Sequence, residues 1–533
     1  MRKKSSESRF GKLKNDSSDL ETTRTYFGLR GSAMQTLTGE QCDELDLDDF
    51  FDFSNRCITP VGEMLLYARI RRLSREDTQT EETIIARMSG DETFRRQVEE
   101  ALSGLADKRS FTASDLLHLS VNLSRWHRYL KFLPGIYLLT LVVVGLFASF
   151  DALLFSLLGI WIFNTVIHFW NKRYVEVCIR PLGQLGKIRA AAAELIRLDR
   201  YRPTEPFQRA IGRLGKLGKT VGLFGMNRWM ESDFTLAATM LIETVKAFFL
   251  VEPLATHYLS SQIEAIDTHA RRLFEYVGEW DVLYSIASFR AWMSRNDCPW
   301  SIPVFTAPGG RLSAEAIRHP LIADCVPNSM TIAGSLVITG SNMSGKSSFL
   351  KTIGLNVVAA YAMNTCFAGR LALPPCELHT VLSVKGDIGA AQSSYYSEAR
   401  RIKAILDRCG KTGNGRMHLV LIDEIFRGTN TIERISVAHA VIEYLAGLDH
   451  TSVVVTTHDI ELARSFEGLL GTCHFSERME GDNLRFNYKL EPGTEYTRNA
   501  ISILKSCRYP ETITVRAELI AVKLSKSMDS IVL

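Results

Sequence analysis

The sequence lacks the cysteine spacings that mark metal sites and disulfide-rich domains. Its ten cysteines are scattered from Cys42 to Cys507, with no pair separated by two residues and no cluster of cysteine and histidine at metal-ligand spacing. Closely spaced pairs are the usual sequence mark of structural zinc sites and redox motifs. The scattered arrangement therefore predicts reduced thiols in a reducing compartment.

The N-terminus lacks the apolar core of a secretory signal, and the chain as a whole lacks a strong excess of charge. With 63 basic and 59 acidic residues the net charge is +4, which neither indicates nor excludes a nucleic-acid partner. We expect residues 1–35 to form a disordered basic tail; weak attraction to anionic lipid or nucleic acid is the alternative. The basic residues of this tail are Arg2, Lys3, Lys4, Arg9, Lys12 and Lys14.

Charge is nearly absent from residues 132–170, where Asp151 is the only formally charged side chain. Those 39 residues are about twice the roughly 20 that a helix needs to cross a bilayer. We therefore predict a transmembrane hairpin, Phe132–Phe150 and Ala152–Trp170, that turns at Asp151. A helical hairpin buried in a soluble domain is the alternative.

Basic residues flank this run on both sides, and none lies at its midpoint. By the positive-inside rule both ends of the hairpin would face the cytoplasm, as expected for a multi-pass protein of the inner (cytoplasmic) membrane. The flanking residues are Arg125, Arg128, Lys131, Lys172 and Arg173.

At 533 residues the chain is too long for one hydrophobic core, and its texture changes along its length. Periodicity predicts helices before residue 300, and from Ser301 short apolar strands alternate with helices, which indicates an α/β domain. The predicted order is a tail (1–35), a helical region (36–125), the hairpin (126–173), a second helical region (174–300), the α/β domain (301–520) and a C-terminal tail (521–533).

A phosphate-binding loop lies between a predicted strand, Ser335–Thr339, and a predicted helix. The pattern G-x-x-x-x-G-K-S lets backbone N–H groups surround phosphate oxygens, with the lysine reaching the β and γ phosphates and the serine hydroxyl ligating Mg²⁺. This predicts ATP with Mg²⁺ as the cofactors. The predicted binding residues of the loop are Gly340, Ser341, Asn342, Met343, Ser344, Gly345, Lys346, Ser347 and Ser348.

Acidic residues end a second apolar strand, and a histidine follows a third. Asp423 is predicted to hold Mg²⁺ together with Ser347, and Glu424 to polarise the attacking water. His458 is predicted to contact the γ-phosphate or that water, and Lys346 to act in catalysis as well as binding. Ser393, ahead of a predicted helix Tyr395–Leu406, offers a hydroxyl at a helix N-terminus, which alone indicates no more than a cap.

These motifs together resemble the MutS ATPases, relatives of the ABC-type ATPases. Residues 339–348 (TGSNMSGKSS) are similar to the family's T-G-P-N-M-G-G-K-S-T, with serines at 341 and 344 in place of proline and glycine. Residues 423–431 (DEIFRGTNT) are similar to D-E-I-G-R-G-T-S-T. Residues 392–398 (QSSYYSE) take the place of R-S-T-F-x-x-E, and 456–458 (TTH) that of A-T-H; residues 318–320 match an upstream R-H-P.

The resemblance implies an α/β P-loop NTPase domain of the ABC-type/MutS class, behind an all-α core and lever domain into which the hairpin is inserted. It also implies a homodimer in which Ser393 approaches the nucleotide of the opposite subunit and Arg427–Thr431 line the interface. Gln392, at the place of the family's arginine, leaves the strength of this trans contact open.

The resemblance further implies an ATP-dependent dimer that binds mismatched or branched DNA in a repair-related role. We expect a membrane-anchored variant that lacks the mismatch-recognition domain, because nothing before residue 38 matches it. The alternative is a membrane-tethered ATPase that drives a conformational change in a membrane partner without binding DNA.

Overall fold

A computed structural model of the chain describes residues 9–14, 20–21, 23–24, 35–74, 78–107, 127–130, 132–224, 244–251, 253–254, 263–341, 343–382, 391–411, 415–426, 430–480, 483–494, 501, 504–505 and 507–528. Contacts divide the chain into two compact units. The first comprises Met1–Arg30, Asn55–Ala68 and Gln79–Phe289, and the second Gly31–Ser54, Arg69–Thr78 and Arg290–Leu533.

The first half of the chain is mainly helical, as the periodicity predicts. Its elements are β1 (Gln35–Thr36), α1 (Gly39–Glu44), α2 (Leu47–Ser54), α3 (Pro60–Arg71), β2 (Arg72–Leu73), α4 (Thr78–Gly90), α5 (Glu92–Ser103), α6 (His127–Leu130), α7 (Leu133–Phe147), α8 (Phe150–Leu198), α9 (Glu205–Phe224) and α10 (Ile263–Arg295).

Strands and helices alternate in the second half. The elements are β3 (Val304–Phe305), β4 (Leu312–Ile317), β5 (Asn328–Ile332), β6 (Leu336–Thr339), α11 (Lys346–Met363), β7 (Arg370–Leu373), β8 (Cys376–Val381), α12 (Ala391–Cys409), β9 (Met417–Asp423), α13 (Thr431–Ala446), β10 (Thr451–Thr457), α14 (Ile460–Ser465), β11 (Gly471–Glu480), β12 (Asn483–Pro492) and α15 (Glu511–Met528).

The apolar run folds into two helices that are joined at Ala148 and Ser149. Ser149 caps α8, because its Oγ accepts a hydrogen bond from the N–H of Ala152 at 3.4 Å. The predicted turn at Asp151 is therefore wrong. Asp151 lies in the first turn of α8, where a carboxylate interacts favourably with the positive end of the helix dipole.

Only one of the two predicted spans has the length to cross a bilayer. Among the described residues, one helical stretch, Phe150–Trp170, is long and apolar enough. The 15 residues of α7 rise about 22 Å, short of the roughly 30 Å hydrocarbon core. The structure thus does not support a hairpin of two complete spans, Phe132–Phe150 and Ala152–Trp170. Helix α8 also runs on to Leu198, so the predicted boundary at residue 173 lies inside it.

The second unit is built on a six-stranded sheet in the order β12-β11-β6-β10-β9-β8. All neighbouring pairs are parallel except β11 and β12, which form an antiparallel edge. A smaller mixed sheet has the order β3-β7-β4-β5. The α/β fold of this region agrees with the alternation of strands and helices in its sequence.

One face of the large sheet packs against α12, α13 and α14. Strands β9 and β10 are buried along their whole length, as expected for central parallel strands covered on both faces. The apolar cluster on this face contains Val381, Ile402, Ile405, Cys409, Val420, Ile422, Ala438, Ile442, Leu445, Val453, Val455 and Leu462.

Candidate nucleotide site

The predicted site residues meet at the edge of the large sheet where three parallel strands end. β10 lies between β6 and β9, with Thr457 opposite Thr339 and Thr456 opposite Asp423. Because parallel strands present their carboxyl ends at one edge, the loops that follow β6, β9 and β10 are neighbours. The register of the sheet therefore brings together motifs that are far apart in sequence.

The loop after β6 has the backbone of a tight phosphate-binding turn. Gly340, Met343 and Gly345 have φ angles of 146°, 81° and 102°, and α11 begins at the next residue, Lys346. At Gly340 a Cβ would lie 2.9 Å from the carbonyl oxygen of Phe475, so a side chain has no room there. The positive end of α11 thus faces the loop, as anion binding requires. Asn342 lies outside the described residues.

Lys346 is buried beneath this loop. It is 4% exposed, and its Nζ donates hydrogen bonds to the carbonyl oxygens of Gly340 and Ser341, each at 2.7 Å. The lysine charge is therefore held at the mouth of the loop by contacts with the loop itself. Ser341 makes one further contact, donating from its hydroxyl to Glu477, a residue that motif reasoning did not identify.

Asp423 binds two hydroxyl groups at the end of β9. Its Oδ2 accepts a hydrogen bond from Ser347 Oγ at 2.7 Å, and its Oδ1 accepts one from Thr456 Oγ1 at 2.5 Å. The predicted pair of metal ligands, Ser347 and Asp423, is thus in direct contact. A hydroxyl and a carboxylate oxygen at this separation are a hard donor set that suits Mg²⁺.

Glu424 and His458 form an ion pair next to Asp423. Glu424 has a left-handed backbone (φ 50°), and its N–H donates to the carbonyl oxygen of Thr456 at 3.0 Å. His458 Nδ1 lies 3.0 Å from Glu424 Oε2, and this hydrogen bond raises the pKa of His458 despite partial burial. Such strained backbone is typical of sites that hold a side chain in one position.

A second carboxylate supports His458. Asp459 Oδ1 lies 3.8 Å from His458 Nε2 and 2.7 Å from a guanidinium nitrogen of Arg434. The imidazole therefore has a hydrogen-bonded carboxylate at Nδ1 and a second carboxylate near Nε2 that acts by charge alone. The carboxylates favour the protonated form of the ring.

A cavity of about 700 Å³ joins these groups to a partly apolar wall. No motif in the sequence predicts that wall, although the family-like sequence Arg318-His319-Pro320 contributes His319 to it. Burial lowers the pKa of His319 to about 4, so the ring is neutral at physiological pH. The wall residues that line the cavity include Ile317, His319, Ile322, Cys325, Val326, Asn328, Phe475 and Tyr488, and the polar lining includes Ser341, Lys346, Ser347, Ser348, Asp423 and Glu424.

The remaining predicted residues, Ser393 and Arg427–Thr431, lie partly outside the described residues. α12 begins at Ala391, so Ser393 is inside its first turn instead of ahead of it; the side chain of Ser393 is outside the described residues. In the same helix, Glu398 Oε1 accepts a hydrogen bond from the N–H of Phe426 at 2.7 Å. Residues 427–429 are also outside the description, and Asn430 caps α13 by accepting from Ile432 N at 3.1 Å.

The domain that carries this site matches a known family. A model of MutS domain V matches residues 336–525, which include the phosphate-binding loop, Asp423, Glu424 and His458. The family predicted from the motifs is therefore supported by a comparison over residues 336–525.

Relatives with the name "DNA mismatch repair protein MutS" align over a larger part of the chain. The protein from Syntrophomonas wolfei is 31% identical over 235 residues, 42% of this chain and 27% of the relative. The one from Petrotoga mobilis is 29% identical over 294 residues (52% and 34%), and that from Shouchella clausii is 27% identical over 322 residues (58% and 36%). The matched part of the chain thus spans about a quarter to a third of the length of these relatives.

Proposed function

We propose that this chain, a MutS-family protein by its domain V, binds ATP with Mg²⁺ and hydrolyses it to ADP and phosphate. The observation that carries the proposal is the meeting of Lys346, Ser347, Asp423, Glu424 and His458 at one sheet edge, beside a cavity of about 700 Å³. Positioning and electrostatic stabilisation are what phosphoryl transfer requires of a protein.

Each group has a role that follows from its contacts. Lys346 already donates to carbonyl oxygens of the loop, so its N–H groups lie where phosphate oxygens would compete for them. Ser347 and Asp423 would hold the Mg²⁺, which when bound neutralises charge that develops on the phosphates. Glu424 accepts a proton from water, and His458, bonded to its carboxylate, orients Glu424 and donates toward the terminal phosphate.

Separate measurements of binding and hydrolysis test this proposal. Glu424→Gln keeps the shape of the side chain but removes its basicity, so we expect ATP binding to persist and hydrolysis to fall by about 100-fold or more. Lys346→Ala should weaken ATP binding itself. Glu443→Gln, at an exposed site on α13, is the matched control and should behave as wild type. Hydrolysis by Glu424→Gln at the wild-type rate would refute the mechanism.

We propose further that the active form is a homodimer with Ser393 acting across the interface. Support comes from the resemblance of residues 392–398 to the family motif and from the position of Ser393 in the first turn of α12, a helix end that favours anions. Gln392 takes the place of the motif's arginine, so we expect the serine to act without that positive charge.

Mixing two inactive variants tests the trans arrangement. A heterodimer of Ser393→Ala and Glu424→Gln subunits contains one site with both defects and one intact site. Random mixing should therefore restore roughly a quarter of wild-type ATP hydrolysis if Ser393 acts in trans. If the serine acted within its own subunit, each site of the heterodimer would carry one defect and mixing would restore nothing.

We propose that ATP hydrolysis is coupled to the binding of mismatched or branched DNA, because the relatives are named DNA mismatch repair proteins. Binding of the full chain to perfect, mismatched and branched duplexes at several salt concentrations tests this. Contacts with phosphates release counterions, so affinity should fall steeply with salt. Negligible binding at low salt would overturn DNA as the target and leave the conformational change in a membrane partner as the remaining hypothesis.

We also propose that the apolar helices attach the chain to the cytoplasmic membrane. Leu138, Phe147 and Phe155 are 67%, 84% and 73% exposed, and no residue of α7 within the described structure is buried. Apolar surface exposed on this scale marks a contact site. Tyr137 Oη donates to Asn164 Oδ1 at 2.6 Å, which pairs the polar groups of α7 and α8 with each other instead of with lipid.

Membrane fractionation with a carbonate wash tests the attachment. Wild-type protein should stay in the membrane fraction, and Leu158→Arg, in the apolar part of α8, should weaken retention because a central arginine costs about 2.5–3.5 kcal/mol in a span. Val437→Arg, at an exposed position on α13, is the control and should stay bound. Recovery of wild-type protein in the soluble fraction would contradict the attachment of the apolar helices to the membrane.

A further inference from the structure

Two buried histidines and a cysteine meet at the end of the large sheet that lies away from the nucleotide site. His379 belongs to β8, His418 to the start of β9, and Cys409 is the last residue of α12. His418 and Asp423 lie on the same strand, about 17 Å apart by the rise of a strand. The cluster is therefore distinct from the ATP site.

The three side chains point toward one another. His379 Nε2 lies 3.1 Å from His418 Nδ1, and one ligand atom from each of the three residues falls within 4.8 Å of the others. His379, Cys409 and His418 are 3%, 5% and 8% exposed. Three soft or borderline donors that converge in an apolar interior form a typical site for a transition metal.

The fold places a carboxylate beside this group. Glu377 lies directly opposite His418 in the pairing of β8 with β9, and it shares a face with His379 because side chains alternate along a strand. Its side chain is 21% exposed, and its Oε1 is 3.8 Å from Arg416. Glu377 thus lies on the same face of the sheet as the two histidines, beside the group of three donors.

We propose that His379, Cys409 and His418 bind a zinc ion, and that the carboxylate of Glu377, on the same face of the sheet, moves in to supply the fourth ligand. Zinc accepts nitrogen, sulfur and oxygen donors in tetrahedral geometry, and structural sites are closed by four ligands. The sequence gives no sign of this site, because its residues come from three separate elements at none of the usual spacings.

The two histidines have the protonation state that metal binding requires, whereas the cysteine must first lose its proton. Burial lowers the pKa of His379 to about 3 and also lowers that of His418, so both rings are neutral and each has a nitrogen lone pair available. Burial raises the pKa of the Cys409 thiol to about 11. Zinc binding therefore breaks the S–H bond, forms a zinc–sulfur bond and releases one proton to solvent.

A zinc ion here would fix the end of α12 that is remote from the nucleotide. Near the middle of the same helix, Glu398 accepts a hydrogen bond from the N–H of Phe426, three residues after Asp423. Zinc would thus tie the C-terminal end of α12 to β8 and β9, while Glu398 ties the middle of the helix to the segment that follows Asp423. The role that follows is structural: the ion stabilises the helix that carries Ser393.

Metal analysis of the purified full-length chain tests the proposal. After dialysis against a weak chelator, wild-type protein should retain about one zinc ion per chain. Cys409→Ala should lower the zinc content by about tenfold. When Co²⁺ replaces zinc, wild-type protein should show a thiolate-to-cobalt charge-transfer band that Cys409→Ala lacks.

Two control variants test whether the loss of zinc is specific to Cys409. Cys376→Ala removes a buried thiol on the opposite face of β8, and Cys325→Ala removes one that lines the nucleotide cavity; both should keep the zinc and the cobalt band. Wild-type protein without zinc that also fails to form the cobalt band would show that the histidines are only hydrogen-bonded to each other. That measurement decides the matter even if Cys409→Ala does not fold.

Discussion

Asp423 and Asp281 are two buried carboxylates, one in each unit, that are bonded in nearly the same way. Asp423 is 4% exposed and accepts hydrogen bonds from Ser347 and Thr456. Asp281 is fully buried and accepts from the hydroxyl of Thr59 at 2.6 Å and from the N–H groups of Ile58 and Thr59 at 2.8 and 2.7 Å. Burial and hydrogen bonding therefore do not distinguish Asp423 from Asp281.

The surroundings of the two aspartates are what distinguish them. Asp423 lines the cavity at the sheet edge, whereas Asp281 fills the space above Gly62, where a Cβ would lie 2.2 Å from its Oδ2. Its donors stand just before α3, so Asp281 satisfies the free N–H groups at that helix start. Burial raises its pKa to about 6, although the three donors act in the opposite direction. A buried aspartate is thus a candidate for catalysis only where an open cavity reaches it.

The largest predicted effect comes from Asp423→Asn. The amide keeps the size of the side chain but loses the negative charge that would hold Mg²⁺, so ATP turnover should fall by about 1000-fold while the free energy of unfolding changes little. Steady-state hydrolysis and denaturant unfolding measure the two quantities. Asp407→Asn, at an exposed ion pair on α12, is the control. If Asp423→Asn unfolded the protein but left turnover per folded molecule intact, the carboxylate would be structural like Asp281.

Asp281→Ala should act in the opposite sense, on stability. It leaves the N–H groups of Ile58 and Thr59 buried without an acceptor and opens a cavity, so the free energy of unfolding should drop by about 3–5 kcal/mol. Asp91→Ala is the matched comparison, because Asp91 caps α5 at a partly exposed site with one bond of 2.9 Å to Phe94 N. That variant should lose about 1 kcal/mol. Equal losses in the free energy of unfolding for the two variants would show that the complete burial of Asp281 adds nothing to its contribution.

Gly62→Ala tests the close packing of α3 against the carboxylate of Asp281. The added methyl group would overlap the carboxylate of Asp281 and displace it, at a cost of about 1–3 kcal/mol in the free energy of unfolding. Gly186→Ala, inside α8 with nothing within 4 Å of its Cβ, should instead stabilise by up to about 1 kcal/mol. Opposite signs for these two helical glycines, measured by denaturant titration, would confirm the close approach of Gly62 to Asp281; stabilisation by both substitutions would contradict it.

Local signals in the sequence account for the nucleotide site better than for the rest. The loop before Lys346 and the pair Asp423-Glu424 each lie between a strand and a helix, and parallel strands then bring their ends together without further information. The network of Asp281 with Thr59, and the cluster of His379 with Cys409 and His418, join residues far apart in sequence. No local pattern marks such contacts.

The apolar run shows the limit of composition as a guide. Its absence of charge located the two helices α7 and α8, but the position of the turn depended on a single cap, Ser149, and not on the charged residue. Because the turn lies earlier than Asp151 and α7 begins after Phe132, the first helix is shorter than composition suggests. The lengths of the two apolar helices therefore depend on where the chain turns, which composition alone does not fix.

The smallest predicted effect concerns His458. Its hydrogen bond to Glu424 raises its pKa, whereas burial raises that of Asp281, and the side chain of His458 is 42% exposed. A raised pKa means that the folded state binds the proton more tightly, so the added stability is complete below the ordinary value near 6.5 and is lost as the pH rises through the raised value. Solvent screens the pair, so the gain should be small. His458→Asn should therefore have a lower Tm than wild type at acid pH only, with the two values converging as the pH rises. A difference in Tm that does not change with pH would show that packing, and not the ion pair with Glu424, holds the imidazole in place.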